Sequence, residues 1–441
     1  MRWFRVLMVM SLVVGITTVA GVGSAAAKKP PQYFVDESTL PFDALPGFDT
    51  ERYWGVHKGA GYRIEVPADW NGDLVVWAHG YRGEGLELTV DNGPIREHLI
   101  ANGYAWAASS YSRNSYDVAT GVQDTHALTT RFNGIVGKPD QRFLIGASMG
   151  GHITGVTIEQ YPNLFDGAMP VCGVMGDYEL FDYFLDANVT AQALAGVDTG
   201  FPAGPDYLTS DVPAIKSQLE FLPGTFPFTL NSTGQAWKSL LEIESGGDRP
   251  VYDQAFLFWN GFAGDFLFGL GAGDGTLARS PGVALDNADK VYQVDDDPAL
   301  SPLEQSLNDS VTRVSPDPQG RHPNGLAQLP VVNGNITIPV LTMHTLGDLF
   351  VPFSMQQRYA ERVAANGASD LLVQRAVRDV GHCSFSPFEW VQGFDDLVAW
   401  VETGVVPAGD DVHATSDATY GCQFTVPDRP LPPPIAIPAC P

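Results

Sequence analysis

Short apolar runs alternate with longer stretches of helical spacing through the first 176 residues. GYRIEVPA (61–68) alternates as a strand does, and DLVVWAHG (73–80) is a continuous apolar run ending in glycine, the mark of a strand covered on both faces. A helical stretch follows near PIREHLIANG, then the strand YAWAASSY (104–111) and a helix within YDVATGVQDTHALTTRFNGIV. RFLIGAS is the next strand. MGGHITGVTIEQYP carries Ile153, Val156 and Ile158 at spacings that allow a helix ending before Pro162, and FDGAMPVCGV (165–174) is another strand. This order predicts an α/β fold, a mainly parallel sheet with helices on both faces.

The alternation stops near Gly176. From 177 to 330 the chain is rich in aromatic residues (LFDYFLDAN, AFLFWNGFAGDFLFGLG) and helical windows (GQAWKSLLEIE, SPLEQSLNDSVTRV), with no clear strand. It reads as a mostly helical insertion with its own core, placed as a cap over a pocket would be. Strand and helix signals resume with ITIPVLTMHTLGD (336–348), SMQQRYAERVAANG, LLVQRAVRDVGHC (371–383) and PFEWVQGFDDLVAWVETG. The expected core is therefore 28–176 joined to 331–405, interrupted between two late strands and followed by a proline-rich tail, 406–441.

Composition and charge narrow the class. Residues 1–27 carry two arginines, an apolar run and a small-residue ending, SAAA, which reads as a cleavable signal peptide; an uncleaved anchor is the rival, since the run from 6 to 23 is nearly long enough to span a membrane. Cleavage implies a secreted, extracellular or periplasmic chain with no stable membrane insertion. The formal net charge of −26 argues against nucleic acid as a partner. Asp295, Asp296 and Asp297 form the densest acidic run, which reads as a solvated loop more readily than as a calcium site, so no metal is expected. The four cysteines, 172, 383, 422 and 440, are an even number in an exported chain, and disulfides are the default. Cys422 and Cys440 bracket the proline-rich segment, where a bridge would staple it; that leaves Cys172 with Cys383, or two buried thiols.

Candidate chemistry centres on GASMG. About one chain in four of this composition contains G-x-S-x-G by chance, so the pattern counts only through its context. Here a strand precedes Ser148 and a helix follows it, while Gly146 and Gly150 leave room for a sharp strand-to-helix turn. Such a turn suits a nucleophile, and it aims the Met149 N–H at a developing oxyanion beside the helix N-terminus. AHGYRG, after the DLVVW strand, offers the Tyr81 N–H as a second donor, though it reads also as a plain glycine turn. His382 follows the last strand run directly and is the candidate base. His344 falls inside a strand, His152 inside a helix, His79 in the oxyanion loop, and His413, in the tail, is the runner-up. Asp348 emerges after the strand VLTMHTLGD and is the candidate acid, with Asp177 as the alternative.

G-x-S-x-G, H-G-Y-x-G, G-D-x-x-V-P and G-H-C, in this order, resemble the α/β-hydrolase superfamily, in particular secreted serine esterases with a large cap. The likeness covers about 60–175 and 335–405. It implies an eight-stranded, mainly parallel sheet, Ser148 as nucleophile, His382 as base, Asp348 as acid, and Met149 with Tyr81 as oxyanion donors. In feruloyl-esterase and tannase-like members, a cysteine beside the histidine pairs with one just before the serine. Here Ala147 holds that place, and Cys172 is the available partner for Cys383.

The expected reaction is two-step acyl transfer with no cofactor, on a small or polymeric ester, apolar if the aromatic insertion lines the pocket. A serine peptidase of the same fold and an inactive secreted binding protein are the rival readings.

Overall fold

The apolar runs pair into one eight-stranded sheet. The computed structural model describes residues 32–221, 229–262, 265–277, 282–321, 329–427, 429 and 435–440; the expected signal peptide lies outside them. Strands β1 (Thr50–His57), β2 (Ala60–Pro67), β3 (Leu74–Ala78), β4 (Ala105–Ser109), β5 (Arg142–Ala147), β6 (Gly167–Val171), β7 (Val340–Thr345) and β8 (Leu372–Val377) lie in the order β1-β2-β4-β3-β5-β6-β7-β8. The expectation of a mainly parallel sheet needs one correction: the sheet is mixed, with β2 antiparallel to both β1 and β4, while every pairing from β4 to β8 is parallel. Two residues, Lys58 and Gly59, connect β1 to β2, which leaves room only for a reversal of direction.

Period-two alternation distributes the strand side chains between two cores. Leu74, Val76 and Ala78 of β3 and Leu144 of β5 join a cluster with α2 (Val118–Ile135), α3 (Met149–Gln160) and α10 (Ser354–Ala365). Their neighbours Val75, Phe143 and Ile145 face α1 (Arg96–Ala101) and α11 (Pro387–Thr403) on the opposite side. α11 begins with a capping box in which Ser386 and Glu389 satisfy each other's backbone N–H, followed by proline in the first turn.

Between β6 and β7 the described elements are helical: α4 (Glu179–Ala195), α5 (Val212–Gln218), α6 (Ser232–Glu244), α7 (Tyr252–Leu257), α8 (Phe266–Gly271) and α9 (Pro302–Ser310). They enclose their own apolar cluster around Phe184, Trp237, Phe256 and Phe268. The same cluster takes in Leu349, Val351 and Val380 of the sheet-edge loops and Ile435 of the tail. This shared packing seats the helices on the loops that follow β7 and β8. Inside the helical layer, Lys290 pairs with buried Asp186 at 2.6 Å and with Glu244, while Tyr292 donates to Asp186 at 2.5 Å. Asp295 to Asp297 form an exposed turn closed by its own backbone N–H groups. Among the described residues no helix is long and apolar enough to cross a membrane.

Candidate active site

The turn at Ser148 is built by close main-chain approach. Ser148 has φ 59° and ψ −125°, a conformation that L residues rarely adopt and that costs on the order of 1–3 kcal/mol. A side chain is impossible around it: a Cβ on Gly146 would lie 2.1 Å from Gly150 O, and one on Gly150 would lie 2.0 Å from Ala78 O. β5, α3 and β3 can converge because both positions are bare. The Ser148 N–H is fixed to Val171 O at 3.0 Å, and its hydroxyl, half-buried, makes no bond to the helix it caps.

The loop after β3 approaches the same turn. Gly80 sits so near that a Cβ there would be 3.1 Å from Ser148 Cβ. His79 Nδ1 lies 2.7 Å from Gly80 O, the carbonyl of the peptide unit that carries the Tyr81 N–H. Because a peptide is planar, holding that oxygen fixes the direction of the N–H on its far side. Burial, with Arg82 nearby, pushes His79 down to about 3, so the ring is neutral and Nδ1 carries the donated proton. It stacks on Tyr111 with ring centroids 4.1 Å apart. Among the described residues neither the Tyr81 nor the Met149 N–H has an acceptor within the protein.

Asp348 and His382 occupy the loops that follow β7 and β8, at the carboxyl edge where the Ser148 turn also lies. Asp348 is fully buried. Its Oδ1 accepts the N–H groups of Phe350 and Val351, both at 2.9 Å, and its Oδ2 accepts His382 Nδ1 at 2.5 Å. Among the described residues no hydrogen bond joins Ser148 Oγ to His382 Nε2; that ring nitrogen lies 3.4 Å from Cys383 Sγ. Catalytic bonds of this kind are commonly long before substrate binds. Cys383 is at bonding distance from Cys172, with Cα atoms 5.4 Å apart, and Cys422 from Cys440, with 5.8 Å. Cys172, His382 and Cys383 are the cluster of metal-ligand types brought together among the described residues, and two of the three are joined as a disulfide.

The other sequence candidates go elsewhere. Asp177 does not meet His382: its carboxylate accepts Arg362 Nη1 at 2.5 Å, the Val332 N–H at 3.1 Å and the Tyr178 N–H at 2.7 Å. It lies in the loop between β6 and α4, where Arg362 of α10 takes its charge. His413 is exposed in the tail. His152 is buried between Tyr116 and Pro330 O, and burial pushes it down to about 4. His344 is buried too, and lowered by burial; its Nε2 is 2.7 Å from Val351 O and 3.8 Å from Asp348 Oδ2.

Residues with no signal in their own neighbourhoods complete the surroundings. Phe350 lies edge-on to His382 at 4.8 Å between centroids and is backed by Phe266, Phe184 and Trp259. Arg429 of the tail donates to Asp379 at 2.6 Å, to Ser384 O at 2.6 Å and to Glu389, spanning the loop that carries His382.

Strand order, the turn after β5 and the loops after β7 and β8 define the α/β-hydrolase fold. No family model matches the chain. It is 22% identical, over an alignment of 431 residues covering 84% of this chain and 92% of the other, to an o-phthalyl amidase from Xanthobacter agilis. Solved structures similar to it include feruloyl esterase B from Aspergillus oryzae (12% identity, TM-score 0.41, 86% of each chain) and an esterase from Pyrococcus furiosus (10%, TM-score 0.42, 83% of this chain and 98% of that one). An acylaminoacyl peptidase from Pyrococcus horikoshii matches at 11% identity and TM-score 0.40 over 85% of this chain and 45% of its own.

Proposed function

We propose that the chain is a serine hydrolase that cleaves carboxylic esters through an acyl-enzyme on Ser148. The observation that carries this reading is the pair His382 Nδ1 to Asp348 Oδ2, at the sheet edge that also carries the strained serine turn. In this reading Asp348 fixes the tautomer of His382 and leaves Nε2 free to take the Ser148 proton. The serine attacks the acyl carbonyl, Met149 and Tyr81 N–H groups receive the oxyanion, and the alcohol leaves with the proton from His382. Water, deprotonated by His382, then releases the acid.

The aromatic wall of Phe350 and Phe266 beside His382 supports an apolar or aryl acyl group. The helices between β6 and β7 act as a cap, and the tail closed by Cys422 and Cys440 as a strap against the core. Residues 1–27 act as a removable leader, and two disulfides support export.

Amide cleavage is the second reading, favoured by the o-phthalyl amidase that aligns along most of the chain. Esters and amides of one aromatic acid, assayed side by side on wild type and Ser148→Ala, separate the readings. Ester turnover lost in the variant supports esterase, faster anilide or amide turnover moves the assignment to amidase, and equal fluorophosphonate labelling of both proteins removes Ser148 as nucleophile.

A further inference from the structure

Trp259 belongs to the helical insertion, in the turn Phe258–Phe262 directly after α7, and it is almost wholly buried. Its single indole N–H points at two main-chain oxygens at once, Gly347 O at 2.9 Å and Val380 O at 2.8 Å. Gly347 immediately precedes Asp348, and Val380 stands two residues before His382. The two loops are also bonded to each other here: Gly347 N–H donates to Asp379 O at 2.8 Å, and Thr345 Oγ1 to Gly381 O at 2.7 Å. The insertion grips the same stretch a second time, since buried Arg249 donates through Nε to Leu346 O at 2.7 Å. Ala255 of α7 packs so tightly that a Cβ on Gly347 would lie 3.0 Å from its methyl.

Two carbonyl oxygens aimed at one point repel each other unless a donor lies between them. Without the indole proton both are buried and short of a partner, a state that costs more than a typical hydrogen bond contributes. The cheapest relief is for the loops to part. The bond that lengthens when they do is His382 Nδ1 to Asp348 Oδ2.

We propose that Trp259 is a positioning residue: its indole N–H clasps the acid loop to the base loop, so the insertion completes the Asp348–His382 pair instead of only covering it. The inference rests on the reading of Ser148, Asp348 and His382 given above. It assigns a role within the reaction to a residue that touches no reacting atom.

Trp259→Phe keeps a ring against Phe266 and Phe350 and removes the proton. The expected result is a kcat for an aryl ester lower by about 10- to 100-fold with KM within about twofold, the scale of loss for a catalytic group misplaced by about 1 Å. The pH-rate profile shifts on its acid limb, and the downfield proton resonance of a histidine bonded to aspartate weakens or moves. Wild-type kcat, pH profile and resonance in this variant overturn the proposal. Should Trp259→Phe melt below the assay temperature, benzothienylalanine at 259, which keeps the indole shape without the N–H, takes its place in the same measurements, with the same outcomes for and against. Fluorophosphonate labelling of wild type and Ser148→Ala keeps the underlying reading separate. If Ser148→Ala still labels, that reading has failed; if it does not label while the Trp259 variants behave as wild type, only the clasp has failed.

Discussion

Ser148 is held by main-chain contacts, from Gly146 and Gly150 beside it to Ala78, Gly80 and Val171 further along the chain, whereas His382 is held by side-chain bonds, with Cys172 bridging to Cys383 across 211 positions. Around the serine, geometry is steric. Gly146, Gly150 and Gly80 let three main-chain segments touch, and helix α3 follows without a side-chain cap. Around the histidine, geometry is bonded. The loop from 378 to 384 is tied to Cys172 by a disulfide, to the tail by Arg429 and to the insertion by Trp259. A steric turn tolerates no substitution at its bare positions, and its partners are main-chain atoms. A bonded loop tolerates many substitutions in itself and depends on residues far away.

The largest effect is expected where sterics rule. Gly150→Ala places a methyl carbon 2.0 Å from Ala78 O, a main-chain atom that cannot rotate aside. Overpacking of this kind costs about 3 kcal/mol or more. Soluble yield, melting temperature and fluorophosphonate labelling are all expected to fall together. A folded, labelled Gly150→Ala would show that the serine turn is looser than its contacts.

On the other side, Arg429→Met leaves the carboxylates of Asp379 and Glu389, both nearly inaccessible, without their cation. Breaking a buried pair from one end costs about 3 kcal/mol. Equilibrium unfolding checks the cost. Ester turnover is expected to fall more steeply than the loss of folded protein, because the His382 loop is what Arg429 spans; equal falls would mean that the tail only adds stability.

Cys172→Ser with Cys383→Ser is expected to cost about 2 kcal/mol and to lower kcat. The Ser148 backbone contacts do not involve either sulfur. Comparing kcat and unfolding of the double variant with those of Cys422→Ser, Cys440→Ser tests this, since only the first bridge touches the histidine loop. Identical kcat losses from the two pairs would remove the distinction.

A last effect, graded with pH, is shared by both sides. His79 and His152, held down to about 3 and about 4 by burial, are neutral in the folded chain. The unfolded chain titrates near 6.5 and binds more protons than the folded one below that pH. Stability from these groups is therefore fully present above 6.5 and is lost as pH falls from 6.5 toward about 4. The slope approaches about 1.4 kcal/mol per pH unit for each histidine. Denaturant unfolding between pH 7 and pH 5 checks the sign, and His152→Asn is expected to make the slope shallower.

The legibility of the fold follows the same division. Buried parallel strands such as DLVVW and RFLIGA stand out because both faces are covered, leaving an unbroken apolar run. Strand β1 is harder to see. It sits at the sheet edge with alternate positions in solvent, and TERYWGVH mixes charge with aromatics. The reversal of β2 is invisible in its apolar pattern, since alternation is the same in either direction. Among the acids, Asp177 and Asp348 both follow strands of the sheet, and only Arg362, 185 residues beyond Asp177, distinguishes them.

What the amino-acid order determined by itself was the local steric part: a strand, two bare positions around Ser148 and a helix, because the approach of Gly146 to Gly150 lies within a few residues, while the closing of Ala78 and Gly80 on the same turn does not. It also ordered the strands in the chain, since burial on both faces leaves its mark in every residue of a run. Tertiary structure alone decided which acid faces His382, and that the indole of Trp259 and the guanidinium of Arg429 close on its loop. Those bonds join residues 34 to 121 positions apart, and no local pattern of hydrophobic and polar residues records a partner at that distance.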